Sequence, residues 1–409
     1  MPTYQAPGVY VEEVPAAARP IAGVGTSTAG FIGVVPDTVS LPAPVKGHPG
    51  TYTTHTVTIS APVGKPVLVT SWADFVKNFG DLVGPESDAA AATVNVNAQF
   101  RNLAQAVYGF FNNGGTRCYV ARAATTGATD VGKVLDAFAA IDEIAIVAAP
   151  GITDEGAQER IIEHCENLRD RFAVLDGAET VDAFTKAEIQ GDTRDSSYAG
   201  VYFPWLKVFD PSEKLMHPSG DGSVYVAPSG HVAGVFARVD GERGVFKAPA
   251  NEVVRGALDL RYGVSKADQE GLNPAGVNVI RSFGGNVKIW GARTAGGDAN
   301  GDFKYVSTRR FFNFLCESID EGTQFVVFEP NGPALWQRIV RSVSDFLLNQ
   351  WRDGALLGET PRQAFFVRCD KETNPPEVRE AGRVVCEVGV AIVKPAEFVI
   401  FRVQQVTGG

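Results

Sequence analysis

Cysteine and histidine are scarce in this sequence, and their spacing excludes several kinds of site. The 409 residues include 5 cysteines and 5 histidines. No two cysteines form a CxxC pair, which excludes the common zinc fingers and, with an odd number of thiols, a disulfide framework. No two histidines have the HxH or HxxxH spacing that aligns imidazoles on one face. We therefore expect no metal site and a reducing compartment during folding.

Positive charge and long apolar runs are also missing. The sum of Lys and Arg is 37 against 47 for Asp and Glu, which gives a formal net charge of −10. An acidic chain does not displace counterions from phosphates, so we expect no nucleic-acid partner. No apolar run approaches the ~18 residues of a transmembrane helix, and the first residues lack the basic and apolar regions of a secretory signal. The prediction is a protein without a signal peptide and without direct membrane insertion.

Motifs for catalysis or cofactor binding are incomplete. The glycine-rich stretch at 23–30 has Thr28 where a dinucleotide loop needs its third glycine, and no Gly-Lys-Ser/Thr follows for a P-loop. A nucleophile-elbow pattern at 25–29 ends in Ala29 instead of glycine. We interpret 23–30 as small-residue strand packed closely against a neighbour, and we expect no catalytic residue and no cofactor.

Strands and helices alternate between residues 98 and 176. Apolar periodicity predicts helices at 98–112, 131–141 and 155–169, and strands at 117–122, 144–149 and 172–175. Helices of this length between strands indicate βαβ crossovers and a largely parallel sheet. The predicted fold class is α/β (α+β mixed), with a mixed β-sheet flanked by helices. Nucleotide binding at the strand ends stays open as an alternative function.

Other segments have weaker signals. The predictions are an exposed β-excursion at 36–66, an exposed turn at 228–230 followed by an exposed His231, a helix at 307–319 capped by Ser307 or Thr308, and strands at 324–328, 364–368 and 384–394. Residues 7–14 and 397–406 also read as strands. The first has no neighbour in sequence with which to form a hairpin, and the second has no sequence partner beyond it. Such strands must pair with something distant, in this chain or in another.

The longest predicted helix covers residues 333–353 and is amphipathic. At 100° per residue, its apolar side chains share one broad face, and Arg338, Arg341, Asp345, Asn349 and Arg352 lie opposite. A solvated polar face explains this pattern in an ordinary surface helix. The alternative is a cationic stripe that docks on an acidic partner.

The order of short motifs resembles that of the contractile tail sheath proteins of phage tails, R-type bacteriocins and extracellular contractile injection systems. The first half contributes PGVYVEE (7–13), RPI (19–21), GTSTA (25–29), KPVLVTSW (65–72) and FG (79–80). The second half contributes GERGVFKAPAN (241–251), LNPAGVN (272–278), WGART (290–294), RR (309–310), FEPN (328–331) and LW (335–336). The similarity is weak at 36–62 and 177–223.

The resemblance implies a structural protein that stacks as hexameric rings into a helical array around an inner tube and contracts to drive the tube into a target cell. It also implies a domain order: an N-terminal arm (1–20), the start of the core (21–97), an α/β domain (98–223) with a variable outer region (177–223), a conserved core (224–380), and C-terminal strands and arm (381–409). The implied partners are further copies of the chain, the inner tube protein, and baseplate and terminator or cap proteins. Assembly is expected in the bacterial cytoplasm.

Two sets of site residues follow from the resemblance. The helix at 333–353 takes the tube-facing role, with Arg338, Arg341, Asp345, Asn349 and Arg352 as tube contacts. The arms take the role of strands added to neighbouring subunits, with pairing by Val9, Tyr10, Val11, Glu12, Val14, Phe398, Val399, Ile400, Phe401 and Val403. A paralogue that forms a single ring at the baseplate or the tail terminus is the alternative within the same machine.

Overall fold

The computed structural model describes residues 20–402, and the chain forms two compact units. Of the described residues, the larger unit comprises 24–317 and 393–402, and the smaller one 20–23 and 318–392. The boundary at residue 317 falls inside one helix. One sheet of the larger unit takes strands from each of three predicted segments, namely 21–97, 98–223 and 224–380.

The strands of the larger unit follow one another closely. They are β1 (Ala29–Val34), β2 (Thr38–Pro44), β3 (Tyr52–Thr58), β4 (Val67–Val69), β5 (Cys118–Ala123), β6 (Ile146–Ala148), β7 (Phe172–Asp176), β8 (Ala199–Phe203), β9 (Leu206–Phe209), β10 (Ser223–Val226), β11 (Glu252–Val253), β12 (Ala257–Leu260), β13 (Val277–Phe283) and β14 (Asn286–Ile289). Its helices are α1 (Trp72–Phe79), α2 (Ala98–Asn112), α3 (Ala128–Phe138), α4 (Glu155–Leu168), α5 (Lys186–Gln190), α6 (Pro211–Met216), α7 (Ser229–Arg243), α8 (Lys266–Leu272), the 3-10 helix Gly297–Phe303, and α9 (Val306–Gly322), which contains the boundary.

Nine of these strands form one mixed sheet in the order β11-β14-β13-β8-β7-β6-β1-β5-β4. The six strands from β13 to β5 are parallel to one another, and β4, β14 and β11 add antiparallel strands at the two ends. Neighbouring residues Phe31 and Ile32 of β1 are fully buried in two different apolar clusters, because successive side chains of a strand point to opposite faces. The predicted mixed sheet flanked by helices is confirmed.

The glycines of β1 let helices approach the sheet closely. A Cβ on Gly30 would lie 2.8 Å from the Phe138 ring, and one on Gly33 would lie 2.7 Å from Leu103. Neither contact leaves room for a side chain. The interpretation of 23–30 as closely packed strand holds only for Ala29 and Gly30, because residues 23–28 form no strand.

Helix α7 is the largest departure from the sequence prediction. The predicted exposed turn at 228–230 is wrong, because Ser229 begins a helix and His231 is buried. Gly230 and Gly234 bring α7 against α2, where an added Cβ would meet Ala106 at 2.4 Å and Phe110 at 2.5 Å. Small residues at a spacing of four let two helix backbones touch, and their low hydrophobicity hid the helix from apolar periodicity.

Three smaller predictions need correction. The excursion at 36–66 forms the antiparallel pair β2–β3, but β2 is not exposed, since Val39, Leu41 and Ala43 join the core. Helix α9 begins at Val306, so Ser307 and Thr308 both lie inside the helix and neither caps it. The predicted strand at 324–328 is instead the 3-10 helix Gln324–Val326, because its apolar residues follow the end of α9 without a strand to pair with.

The smaller unit is built around the longest predicted helix. Its elements are α10 (Pro333–Arg352), α11 (Pro361–Ala364), β15 (Phe365–Arg368), α12 (Pro376–Glu380) and β16 (Glu387–Val390), besides the 3-10 helix already given. Strands β15 and β16 are antiparallel and pair Phe365 with Val390 and Arg368 with Glu387. Within residues 20–402 no third strand joins this sheet.

Candidate assembly surfaces

Helix α10 begins at Pro333, with Gly332 as its N-cap. Pro suits this position because the first turn of a helix has no internal partner for its N–H groups. The buried face consists of Leu335, Trp336, Ile339, Ser342, Val343, Phe346 and Leu347. The Asn331 side-chain oxygen accepts a hydrogen bond from the Trp336 indole Nε1 at 3.0 Å. The predicted amphipathic helix is confirmed.

The five predicted contact residues lie together on the opposite face of α10, within an arc of about 80° at 100° per residue. Arg341, Asp345, Asn349 and Arg352 are exposed, and Arg338 is partly exposed. The geometry leaves this polar face, which we call the α10 polar face, open on the surface of the smaller unit. Its contact with a tube stays a prediction.

The three arginines of the α10 polar face differ in their surroundings. The Arg338 Nη2 donates to Glu329 Oε2 at 2.7 Å, and its guanidinium carbon lies 5.9 Å from the Phe325 ring centre. Arg341 and Arg352 form no ion pair with any of residues 20–402. Two cations of this face are therefore available to an acidic partner.

The C-terminal segment carries four consecutive exposed apolar residues. Phe398, Val399, Ile400 and Phe401 are 72%, 70%, 78% and 85% exposed. Residues 397–402 form no strand, so the predicted strand is wrong for the single chain. A contiguous apolar run of this size in water marks an interaction surface, and its pairing with another copy stays a prediction. Val9, Tyr10, Val11, Glu12, Val14 and Val403 lie outside the described residues.

A partly buried ion pair holds the chain immediately before this run. Arg293 donates from Nε and Nη2 to the two oxygens of Glu397, both at 2.8 Å. Asn273 Nδ2 donates to Glu397 Oε1 at 2.6 Å, and the Tyr305 hydroxyl donates to Oε2 at 3.0 Å. We call these four residues the Glu397 clamp. A bidentate Arg–carboxylate pair fixes both position and orientation, so the clamp sets where the exposed run leaves the larger unit.

Electrostatics favour the charged form of Glu397. Burial opposes the charge, but the hydrogen bonds from Arg293 and Asn273 outweigh it, so the pKa of Glu397 is lowered from its ordinary value. The Arg293 side chain is 4% exposed and that of Glu397 18%. Sequence reasoning missed the clamp, because 104 residues separate the two partners. The only signal was the motif at 290–294, which contains Arg293.

The carboxyl ends of the parallel strands were the alternative site. Asp176 ends β7 and is buried, and it accepts hydrogen bonds from the Ser229 N–H at 2.8 Å, the Ser229 hydroxyl at 2.7 Å and the Gly151 N–H at 3.0 Å. Burial raises the pKa of Asp176 to about 6, although these hydrogen bonds lower it. The first turn of α7 thus occupies the strand end where a nucleotide would bind.

The described residues contain no group of three or more His, Cys, Asp or Glu that could hold a metal ion. None of the helices in residues 20–402 is long and apolar enough to cross a membrane.

Comparison with known proteins identifies the family. Residues 124–295 match the phage tail sheath protein central domain, and residues 298–406 match the phage tail sheath C-terminal domain. This chain belongs to the contractile tail sheath protein family. A protein of Pseudomonas aeruginosa strain UCBPP-PA14, named as a prophage major tail sheath protein, is 24% identical over 369 residues, which is 84% of this chain and 86% of the relative.

Solved structures of contractile particles resemble this chain over nearly its whole length. The sheath complex of PVC, an extracellular contractile injection system, in its contracted state is 27% identical and matches with a TM-score of 0.73 over 99% of both chains. A chain of the six-fold symmetrised baseplate of the anti-feeding prophage is also 27% identical, with a TM-score of 0.70 over 99% of this chain and 100% of its own.

The Glu397 clamp connects the two sheath domains. Arg293 lies at the end of the central-domain match, and Glu397 lies near the end of the C-terminal-domain match. In this sheath protein the last segment of the C-terminal domain is thereby fastened onto the larger unit.

Proposed function

We propose that this sheath protein polymerises into a helical array of hexameric rings around an inner tube, and that contraction of the array drives the tube into a target cell. The six-fold symmetry of the anti-feeding prophage baseplate and the contracted state of the PVC sheath, both at 27% identity, support this proposal. Head-to-tail contacts that do not close on themselves generate a helix, which is the symmetry that such an array requires.

The observation that carries the proposal is the exposed run at 398–401 directly after the Glu397 clamp. Four large apolar side chains in water destabilise an isolated chain, since burying each one is worth roughly 1.5–3 kcal/mol. The clamp gives the run a defined origin, which a non-specific tail does not need. An anchored apolar segment without a strand partner is suited to strand addition in a neighbouring copy.

The acceptor that fits best is the two-stranded sheet β15–β16. Among the described residues, each of these strands has an outer edge to which no other strand is added. Phe366 and Val388 are exposed on this small sheet at 56% and 37%, so an added strand would find apolar neighbours. Main-chain hydrogen bonds to an open edge supply affinity without a preformed pocket.

The α10 polar face is the proposed tube contact. Arg341 and Arg352 are available as cations, and Arg338, Asp345 and Asn349 lie on the same face. An exposed ion pair contributes only about 0–1 kcal/mol, so a partner held by several of them is released without unfolding either protein. Weak and separable contacts suit a sheath that must leave its tube on contraction.

The alternative within the machine is a paralogue that forms one ring at the baseplate or at the tail terminus. The match to a chain of the anti-feeding prophage baseplate favours keeping this candidate. In both cases the role is structural rather than enzymatic. The proposed partners are further copies of the chain, the inner tube protein, and baseplate and terminator or cap proteins, with assembly in the bacterial cytoplasm.

Negative-stain electron microscopy of the full chain, purified alone and concentrated, tests the proposal. Hollow helical tubes are the expected result, because the chain carries both the donor segment and the acceptor sheet. Single closed rings would favour the paralogue instead, and dispersed monomers at every concentration would contradict self-assembly. Repeating the experiment with the inner tube protein then tests for a longer, narrower tube-bound form.

A further inference from the structure

Phe328 is the most exposed large apolar side chain of the described residues, and nothing in residues 20–402 covers it. Its relative exposure is 104%, and the preceding Val327 is 54% exposed. The side chain lies in the short connection between the 3-10 helix and α10. We propose that Phe328 is an apolar anchor that inserts into an apolar pocket, rimmed by acidic groups, on the inner tube protein.

The backbone at Phe328 is strained. Its φ of 65° lies in the left-handed region, where a bulky residue other than glycine is an outlier. A chain selected only for folding would place Gly or Asn at such a position. Backbone strain and full exposure of an aromatic ring are two separate costs at one residue, and such strain is characteristic of binding sites.

Hydrogen bonds and one ion pair join the residues around Phe328 to the rest of the smaller unit. On the side of α10, Glu329 is paired with Arg338 at 2.7 Å, and the Glu329 N–H donates to the Val326 carbonyl at 3.2 Å. Two residues further on, Asn331 Nδ2 donates to the Arg383 carbonyl at 2.8 Å. These contacts place Phe328 near the N-terminal end of α10.

Continuity with the α10 polar face indicates the partner. Glu329 fastens Phe328 to Arg338, which is the first residue of that face. An aromatic residue beside arginines is the usual composition of a binding hot spot, in which the ring supplies most of the affinity and the polar rim supplies orientation. This inference rests on the proposed function, because it assigns the partner of the same face. The chemistry requires an apolar pocket on the tube with carboxylates within reach of Arg341.

The test compares Phe328→Ala and Phe328→Gly with Leu357→Ala, which removes another exposed apolar side chain of the smaller unit (65% exposed). Each purified variant is assembled alone and with the inner tube protein, and the tube-bound fraction is measured by sedimentation. Both Phe328 variants are expected to lower tube binding at least about tenfold, as hot-spot truncations do. Leu357→Ala is expected to leave binding unchanged.

Folding and function separate in the glycine variant. Because glycine tolerates a positive φ, the melting temperature of Phe328→Gly is expected to be no lower than that of the wild type. Its tube binding is nevertheless expected to be reduced. Loss of tube-free sheath assembly by either variant would overturn the inference and assign Phe328 to a second copy of the chain. Normal tube binding by both variants, with the wild type also bound, would overturn this inference alone. A wild type that binds no tube would overturn the proposed function as well.

Discussion

The C-terminal segment and the α10 polar face are both exposed, but they differ in composition and in attachment. The segment at 398–401 is wholly apolar and follows a partly buried, bidentate ion pair. The α10 polar face consists of charged and amide side chains, two of whose arginines form no ion pair among residues 20–402. The first is a surface that gains much from burial, and the second gains little from any single contact.

We propose that this difference separates durable contacts from releasable ones. Covering four apolar side chains is worth several kcal/mol at roughly 1.5–3 kcal/mol each, whereas an exposed ion pair contributes about 0–1 kcal/mol. A contracting sheath must keep its subunits joined while it leaves its tube. Under the proposed function the C-terminal segment joins subunits and the α10 polar face contacts the tube, so that one chain meets both requirements. Three experiments measure how far the two surfaces differ.

The largest effect is expected from charges placed in the C-terminal run. Phe398→Asp combined with Ile400→Asp puts two carboxylates on one face of a segment that we expect to be buried as a strand. Burial of unpaired charge is unfavourable by several kcal/mol, so assembled tubes should disappear. Electron microscopy and sedimentation of the purified protein measure this loss.

Leu258→Asp is the control for that experiment, because Leu258 is 58% exposed in the larger unit and far in sequence from the segment. It should assemble normally. Tubes of normal length from the Phe398 and Ile400 double variant would remove the segment from the interface.

An intermediate effect is expected from charge reversal on the α10 polar face. Arg338→Glu, Arg341→Glu and Arg352→Glu together should lower tube binding roughly tenfold, because several contacts of about 0–1 kcal/mol are lost at once. Wild-type binding should weaken with added salt, which screens exposed charges. Co-sedimentation with the tube protein at two salt concentrations measures both.

Arg362→Glu provides the matched reversal, since Arg362 is exposed on α11 in the same unit. It should not change tube binding. Tube binding that does not depend on salt, or an equal loss of tube binding in the two variants, would mean that the α10 polar face is an ordinary solvated surface.

The smallest effect is expected at the Glu397 clamp, since its replacement alters the anchor and leaves the apolar run intact. Glu397→Gln preserves the shape but removes the charge, and it should lower the free energy of unfolding by about 1–2 kcal/mol. The pKa of Glu397 is lowered below its ordinary value of 4.5. The stabilisation is therefore fully present above that value and is lost as the pH falls through the lowered pKa. Urea unfolding at a series of pH values measures the difference between wild type and variant.

Lys394→Met serves as the comparison, because the Lys394–Asp302 pair at 3.1 Å is exposed. Its effect should stay below about 0.5 kcal/mol. A Glu397→Gln variant that matches the wild type from neutral to acid pH would contradict the lowered pKa of the clamp.

Sequence reasoning succeeded where structure is local. The helix at 98–112 and α10 have regular apolar spacing, and their bounds were predicted within one residue. It failed where the composition of a segment did not indicate its secondary structure or its burial. Helix α7 is rich in glycine and alanine, because it must fit closely against α2, and β2 is buried despite its Pro and Thr content. In both cases the residue types suit the element that packs against the segment, and that element cannot be identified from the segment's own sequence.

The candidate surfaces show the same division. The amphipathic pattern of α10 and the apolar run at 398–401 are properties of consecutive residues, and the ordered motifs pointed to the sheath family. The Glu397 clamp joins residues 104 positions apart, and the exposure of Phe328 depends on how its connection is held. The sequence by itself determined which segments are apolar, charged or periodic, since these are properties of side chains in order. Only the tertiary structure decided which of them are buried, paired or left uncovered, because burial depends on the surface that each segment meets.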